Sequence, residues 1–179
     1  MCYNFTLLKL VASNYHNRAY NNPELLIYNL KNSVHQLAAK IQLEGGARIE
    51  GVALIKPEQL LGIKIDKVTQ VEKGIIYTKE KGGKQGEVLV SLETYAELKN
   101  YLSLNSKFKI NRQDYYNDIK QAAIISKEVS EGSHGLRWNF AKRRMFEYGK
   151  AGYSYSDSLQ EVSYEMKHNR ASITEHYLC

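Results

Sequence analysis

The chain has 179 residues, 43% of them hydrophobic, a size that fits one globular domain with its own core. A formal net charge of +6 and a sequence pI near 9.1 make a polyanion the expected class of partner. Cys2 and Cys179 stand at opposite ends, which leaves no internal disulfide framework or paired-cysteine metal site, and no run approaches the ~20 apolar residues of a membrane helix.

Residues 1–23 are rich in Asn and Tyr and lack periodicity, so they read as a lead-in or linker remnant, with the domain proper expected over 24–179. The apolar stretch from Phe5 to Val11 is interrupted by Lys9 and lacks a basic region before it, so neither secretion nor membrane insertion is expected, and a reducing cytoplasm is the expected compartment. Asn22-Pro23 forms a helix-start signal, and Leu26, Leu30, Val34, Leu37 and Ile41 keep one apolar face, predicting a single helix that ends at Gly45-Gly46. A short helix from Arg48 to Ile55 is expected to stop ahead of Pro57.

From Gly62 the period changes to two. Ile63, Ile65 and Val68 alternate with charged residues, Ile75 to Thr78 form a second strand-like run, and Lys81-Gly82-Gly83-Lys84 is a hairpin tip returning through Val88-Leu89-Val90. Ser91 caps a predicted helix bearing Leu92, Tyr95, Leu98 and Leu102, and another follows with Tyr115, Ile119, Ala122 and Ile125. The remainder is mostly helical, with a loop at Tyr153-Ser154-Tyr155-Ser156-Asp157. The predicted fold class is therefore α+β, mainly α-helical with a small antiparallel β-sheet.

An ordered set of polar groups lies toward the C-terminus: Ser133-His134-Gly135-Leu136-Arg137, then Lys167-His168-Asn169-Arg170, then His176-Tyr177. Two imidazoles, a guanidinium and a phenol are what a protein needs to grip a phosphodiester and attack it with a tyrosine oxygen. Arginine presents a planar donor fork to phosphate oxygens, and a phenol, which ionises near ~10, attacks at neutral pH only with help from a base or a positive field. Taken singly, each residue has an ordinary structural reading, since short motifs match by chance and the chain holds 14 tyrosines. The order and spacing carry the signal.

Four segments together resemble the catalytic domain of the tyrosine recombinases, the phage-integrase family. Glu44-Gly45-Gly46-Ala47-Arg48-Ile49-Glu50 resembles the family's "TGLRISE" segment, and Lys79-Glu80-Lys81-Gly82-Gly83-Lys84 its "GKGNK" hairpin tip. His134 to Ala141 is similar to "HxLRHTFA", and His168 to Tyr177 keeps the nine-residue step of "LGHxxxxTTxxYxH". The resemblance implies a site-specific recombination or integration enzyme that cuts DNA through a 3′-phosphotyrosyl link. Arg48 and Arg137 would hold the scissile phosphate, Tyr177 would attack, and His134 and His168 would tune proton transfer. Lys81 would protonate the leaving 5′ oxygen, with Lys79 and Lys84 as close rivals. It further implies double-stranded DNA as partner, a homotetramer on that DNA, and neither metal nor cofactor, because the cations neutralise the developing charge.

The chain departs from the family pattern in places. The acid usually found three residues after the first arginine is here Glu50, two after it, with Gly51 in the expected place. Trp138 replaces a histidine, and the long spacer from Arg137 to His168 predicts an inserted loop around residues 150–158. Residues 1–23 do not accommodate the family's helical clamp domain, and only Leu178 and Cys179 follow the tyrosine, so a catalytic fragment, a truncated element or a minimal variant is expected. Two rival readings stay open: a topoisomerase-like relaxing enzyme with the same chemistry, and a DNA-binding remnant without it. The basic run Lys142-Arg143-Arg144 suits either a DNA-tracking or a solvated face, while Trp138, Phe140 and Phe146 are expected in the core.

Overall fold

The computed structural model describes residues 17–168 and 170–178, so the first part of the expected lead-in, residues 1–16, lies outside the described residues. Helices α1 (Pro23–Tyr28), α2 (Ser33–Gly45) and α3 (Ile49–Val52) lead into strands β1 (Leu60–Ile65), β2 (Glu72–Lys79) and β3 (Gln85–Val90). Helices α4 (Leu92–Leu104), α5 (Arg112–Ile125), α6 (Gly132–Lys150), α7 (Tyr155–Glu165) and α8 (Ala171–His176) follow. The strands form one antiparallel sheet in the order β1-β2-β3. The architecture is thus α+β, mainly helical with a small antiparallel sheet, as the periodicities predict.

The single helix expected from Pro23 to Glu44 is broken. Asn29 closes α1 and the Asn32 side chain caps α2 by accepting the Val34 N–H. Between them the N–H groups of Lys31 and Asn32 donate to the Asp118 carboxylate of α5, 3.1 and 3.2 Å away. A partner distant in sequence thereby supplies hydrogen bonds that a continuous helix would have made internally, and the apolar period passes through the break unaltered.

Helix α2 ends at Gly46, which takes the left-handed φ of 65° and donates its N–H to the Gln42 carbonyl. A Cβ here would lie 2.5 Å from the Phe140 ring. Gly46→Ala is therefore expected to lower stability by at least about 2 kcal/mol, from backbone strain and overpacking together. Urea denaturation checks this, and an unchanged midpoint would contradict the close approach.

Two apolar clusters make up the core. One gathers Leu26, Leu37, Ile41, Ile76, Val90, Leu98, Tyr115, Ile119 and Leu136; the other holds Val68, Trp138, Phe140, Tyr148, Val162, Met166 and Tyr177. Helix α6 serves both, with Leu136 in the first and Trp138 in the second. Arg137, between them in sequence, is carried into the interior where the clusters meet.

Residues 17–22, within the expected lead-in, run against α6. The Asn139 side chain clasps the backbone N–H and carbonyl of Tyr20, at 3.0 and 2.8 Å, and the buried Tyr20 hydroxyl donates to the Gly132 carbonyl. Downstream, the loop expected around residues 150–158 is a tight turn followed by α7. Ser154 caps this helix by accepting the Asp157 N–H at 3.1 Å, so a polar run that reads as loop is a helix start. Phe146, expected in the core, is 70% exposed, because the buried positions of α6 (Arg137, Trp138, Ala141, Arg144 and Tyr148) lie on its other face.

Within the chain the basic run on α6 makes specific contacts, with the Arg143 side chain still 39% exposed. Lys142 donates to Asn17, Arg143 to the Glu44 carbonyl, and Arg144 is buried in an acidic nest. Arg144 binds Asp66 through both terminal nitrogens at 2.8 Å, Glu165 through Nε and Nη2 at 2.8 Å, and Glu147 at 2.9 Å. These contacts tie the β1–β2 turn to α6 and α7. Among the described residues no helix is long and apolar enough to cross a membrane.

Candidate active site

Arg48 occupies the N-cap position of α3, just past the glycine break, with its side chain 30% exposed. His134 and Arg137 project from the first turns of α6, His168 follows α7, and Tyr177 closes α8. Tertiary packing brings these five together. The Tyr177 hydroxyl lies 3.3 Å from His134 Nε2, and the Tyr177 ring packs against His134 and stacks on His168, with centroids 5.5 and 5.6 Å away. Trp138, in the place of the family's histidine, supplies the floor under Tyr177 at 5.2 Å.

Arg137 has no exposed surface. It donates through Nη1 to the Gly46 carbonyl and through Nη2 to the Met166 carbonyl at 3.3 Å, while Nη2 also lies 3.3 Å from His168 Nε2. A guanidinium only donates, so His168 Nε2 is the acceptor and its ring proton sits on Nδ1. Arg137 Nε and His168 Nδ1 are buried and have no hydrogen-bond partner among the described residues. Buried polar atoms left unpaired cost free energy and are uncommon outside functional sites, and Arg137 Nε is a donor of the kind a phosphate oxygen requires.

The site is strongly electropositive. Burial, followed by the Arg137 charge, holds the His134 imidazole at about 4 and that of His168 at about 3; Arg48 acts on both, and Lys84 on His168. Burial also draws the Arg137 guanidinium below its usual value, opposed by Tyr177 and Glu80. Both histidines are therefore neutral at pH 7, and in the tautomer protonated at Nδ1 His134 can accept the Tyr177 proton.

A pH dependence of stability follows. The folded values of His134 and His168 lie below the ~6.5 of an unfolded histidine, so on acidification the unfolded chain binds protons first. The stability they supply is whole above pH ~6.5 and is lost as pH falls through about 4 and then about 3, with a slope of about 1.4 kcal/mol per pH unit for each proton. Urea midpoints are expected to fall between pH 7 and pH 5, and His168→Gln to reduce that slope. An unchanged slope in the variant would contradict a buried neutral His168.

Of the hairpin lysines, Lys79 ends β2 and Lys84 follows the tip, while the Lys81 side chain lies outside what the structure describes. Glu50, the acid two residues after Arg48, faces Arg112 at 3.7 Å. The acid beside Arg48 is Glu80: its Oε1 accepts the Arg48 backbone N–H at 3.1 Å and its Oε2 lies 3.8 Å from Arg48 Nε. Lys167 reaches the same carboxylate at 3.3 Å. The motifs single out neither Glu80 nor Lys167 as a site residue; the available signal was the glycine at position 51, which leaves room for an acid from elsewhere.

The chain has a tyrosine recombinase catalytic-domain-like fold. Its solved structural neighbours include the XerH site-specific recombinase bound to a palindromic difH substrate, with TM-score 0.68, 17% identity, and coverage of 94% of this chain and 51% of that one. A lambda integrase dimer bound to a COC′ core site matches at TM-score 0.66 and 14% identity, covering 91% and 48%. XerA recombinase matches at 0.64 and 14%, covering 96% and 62%. The chain thus spans roughly half to three-fifths of the length of these neighbours. No protein-family model matches the sequence, and a search of curated proteins found no match.

Proposed function

We propose that the protein cleaves and rejoins double-stranded DNA in site-specific recombination or integration, with Tyr177 as nucleophile. The observation that carries this reading is the meeting of Arg48, His134, Arg137, His168 and Tyr177 at one buried, electropositive site from four separate stretches of chain. In the proposed step the Tyr177 oxygen bonds to phosphorus as its proton passes to His134 Nε2. The P–O5′ bond breaks, and O5′ takes a proton from a hairpin lysine, Lys81 or its rivals Lys79 and Lys84, leaving a 3′-phosphotyrosyl link and a free 5′ hydroxyl. Arg48 and Arg137 neutralise charge on the non-bridging oxygens. The bond energy is kept in the link, so rejoining is the same step reversed. Assembly as a homotetramer on DNA belongs to this reading, since exchange of two duplexes needs four cleavages.

Arg137 has no exposed surface and donates to the Gly46 and Met166 carbonyls, so contact with a phosphate requires the elements around it to move. The same burial favours a second reading, a DNA-binding remnant without chemistry, in which Arg137 stays committed to the Gly46 and Met166 carbonyls. Incubation with a nicked suicide duplex decides between them: a covalent protein–DNA adduct supports cleavage, and salt-sensitive binding with no adduct supports the remnant. Plasmid relaxation without recombinant products would assign the chemistry to a relaxing enzyme instead.

A further inference from the structure

Glu80 is a carboxylate whose side chain has no exposed surface, placed between β2 and the hairpin tip. Its Oε1 accepts from Arg48 N and from Lys167 Nζ, while Oε2 has no hydrogen-bond partner among the described residues and faces Arg48 Nε at 3.8 Å. A buried carboxylate is costly unless paired, and here two cations from opposite sides of the site share it.

Two independent features show that the arrangement is built in. A Cβ at Gly51 would meet Glu80 Cγ at 2.8 Å and Oε1 at 3.4 Å, so the Glu80 side chain fills space that any residue with a side chain at 51 would claim. Lys167 follows the C-cap of α7 in the left-handed conformation, with φ of 57°, as Lys127 does after α5. Its stem crosses Gly86 of β3, where an added Cβ would lie 3.6 Å from Lys167 Cε, before the ammonium reaches Glu80. Burial, with Arg137 and Arg48, lowers the Lys167 pKa against the pull of Glu80.

We propose that Glu80 and Lys167 form a positioning pair for the site: Glu80 orients Arg48 from the hairpin, in the place left by Gly51, and Lys167 fastens that carboxylate to the segment carrying His168. The inference rests on the reading of Arg48 and His168 as members of a DNA-cleaving site. The pair adds a direct link between three chain segments that Arg137 also bridges through the Gly46 and Met166 carbonyls, so the arginine and the histidine are held in register before a phosphate arrives. Neither residue touches the reacting atoms, so both act through their neighbours.

The test uses the full chain with four readouts. Glu80→Gln and Lys167→Met are each expected to slow single-turnover adduct formation by about 100-fold, the effect of a misplaced site group, with DNA affinity unchanged. Moving the carboxylate in the double variant Gly51→Asp/Glu80→Ala is expected to restore most of the rate, a rescue that a purely structural role would not give. A 5′-bridging phosphorothiolate duplex, whose leaving group needs no proton, is expected to leave Lys167→Met slow; full rescue there would make Lys167 the acid itself and overturn the positioning role. ¹⁵N spectra of Arg48 Nε and Lys167 Nζ stand apart from activity: both signals are expected to move in Glu80→Gln, and unmoved signals overturn the pair even if the wild type forms no adduct. Absence of adduct in the wild type with moved signals would instead overturn the cleavage reading alone.

Discussion

Tyr177→Phe is expected to abolish the covalent adduct completely while leaving DNA binding and most of the stability in place. The ring does the packing: it lies against Trp138, His134 and His168, with centroids between 5.2 and 5.6 Å, and phenylalanine keeps these contacts. The hydroxyl's contact with His134 Nε2 is long, 3.3 Å, so its loss costs about 0.5–1.5 kcal/mol. In the proposed reaction the chemistry depends wholly on that oxygen, because no attack on phosphorus occurs without it. Adduct trapping on nicked duplex, binding titration and a thermal melt separate the three quantities. Adduct formation that survives the substitution would remove Tyr177 from the reaction.

Arg144→Met is expected to produce the largest loss of stability, about 3–5 kcal/mol, or about 10 °C in melting temperature. The substitution keeps much of the aliphatic volume but removes the counter-charge from Asp66, which is 2% exposed, and leaves Glu147 to Arg143 alone and Glu165 to the Tyr148 hydroxyl. In the wild type, burial would raise the Asp66 pKa, but hydrogen bonds from Arg144 and Thr69 outweigh it and hold the carboxyl well below its usual range. The folded value is depressed, so this stability is present above the unfolded pKa near ~3.9 and disappears as pH falls through the folded value. The gap between variant and wild type should therefore be widest near neutrality and narrow in acid. Urea denaturation at pH 7 and at about pH 2.5, inside the window below ~3.9, tests both statements, and a gap that stays constant between them would show that packing, not charge, sets the effect.

Much of the architecture is legible where a residue's role is decided by its near neighbours. The hairpin follows from alternation and the Gly82-Gly83 tip, and Ser91 caps α4 by accepting the Thr94 N–H, as its position ahead of an apolar period predicts. Reading failed where a distant group intervened. Asp118 meets the break in the first helix, and Asp66 and Glu165, the partners that bury Arg144, come from β1's turn and α7, so neither could be inferred from the local run. The loop expected around residues 150–158 is a different failure, since Ser154 and Asp157 carried a capping signal that the polar composition obscured.

The candidate site divides along the same line. By itself the sequence determined which side chains are available and in what order, because the spacing of His134 to Arg137 and of His168 to Tyr177 is a property of the chain. It also determined that Arg48 would stand at a helix start, since glycines precede it and an apolar turn follows. Only the tertiary structure decided which groups share an environment: that Tyr177 stacks on His168, that Arg137 is fully enclosed, and that the acid serving Arg48 is Glu80 and not Glu50. The physical reason is that burial and Coulombic coupling depend on distance through space, and two chain segments far apart in sequence contribute to both once the two cores close around α6.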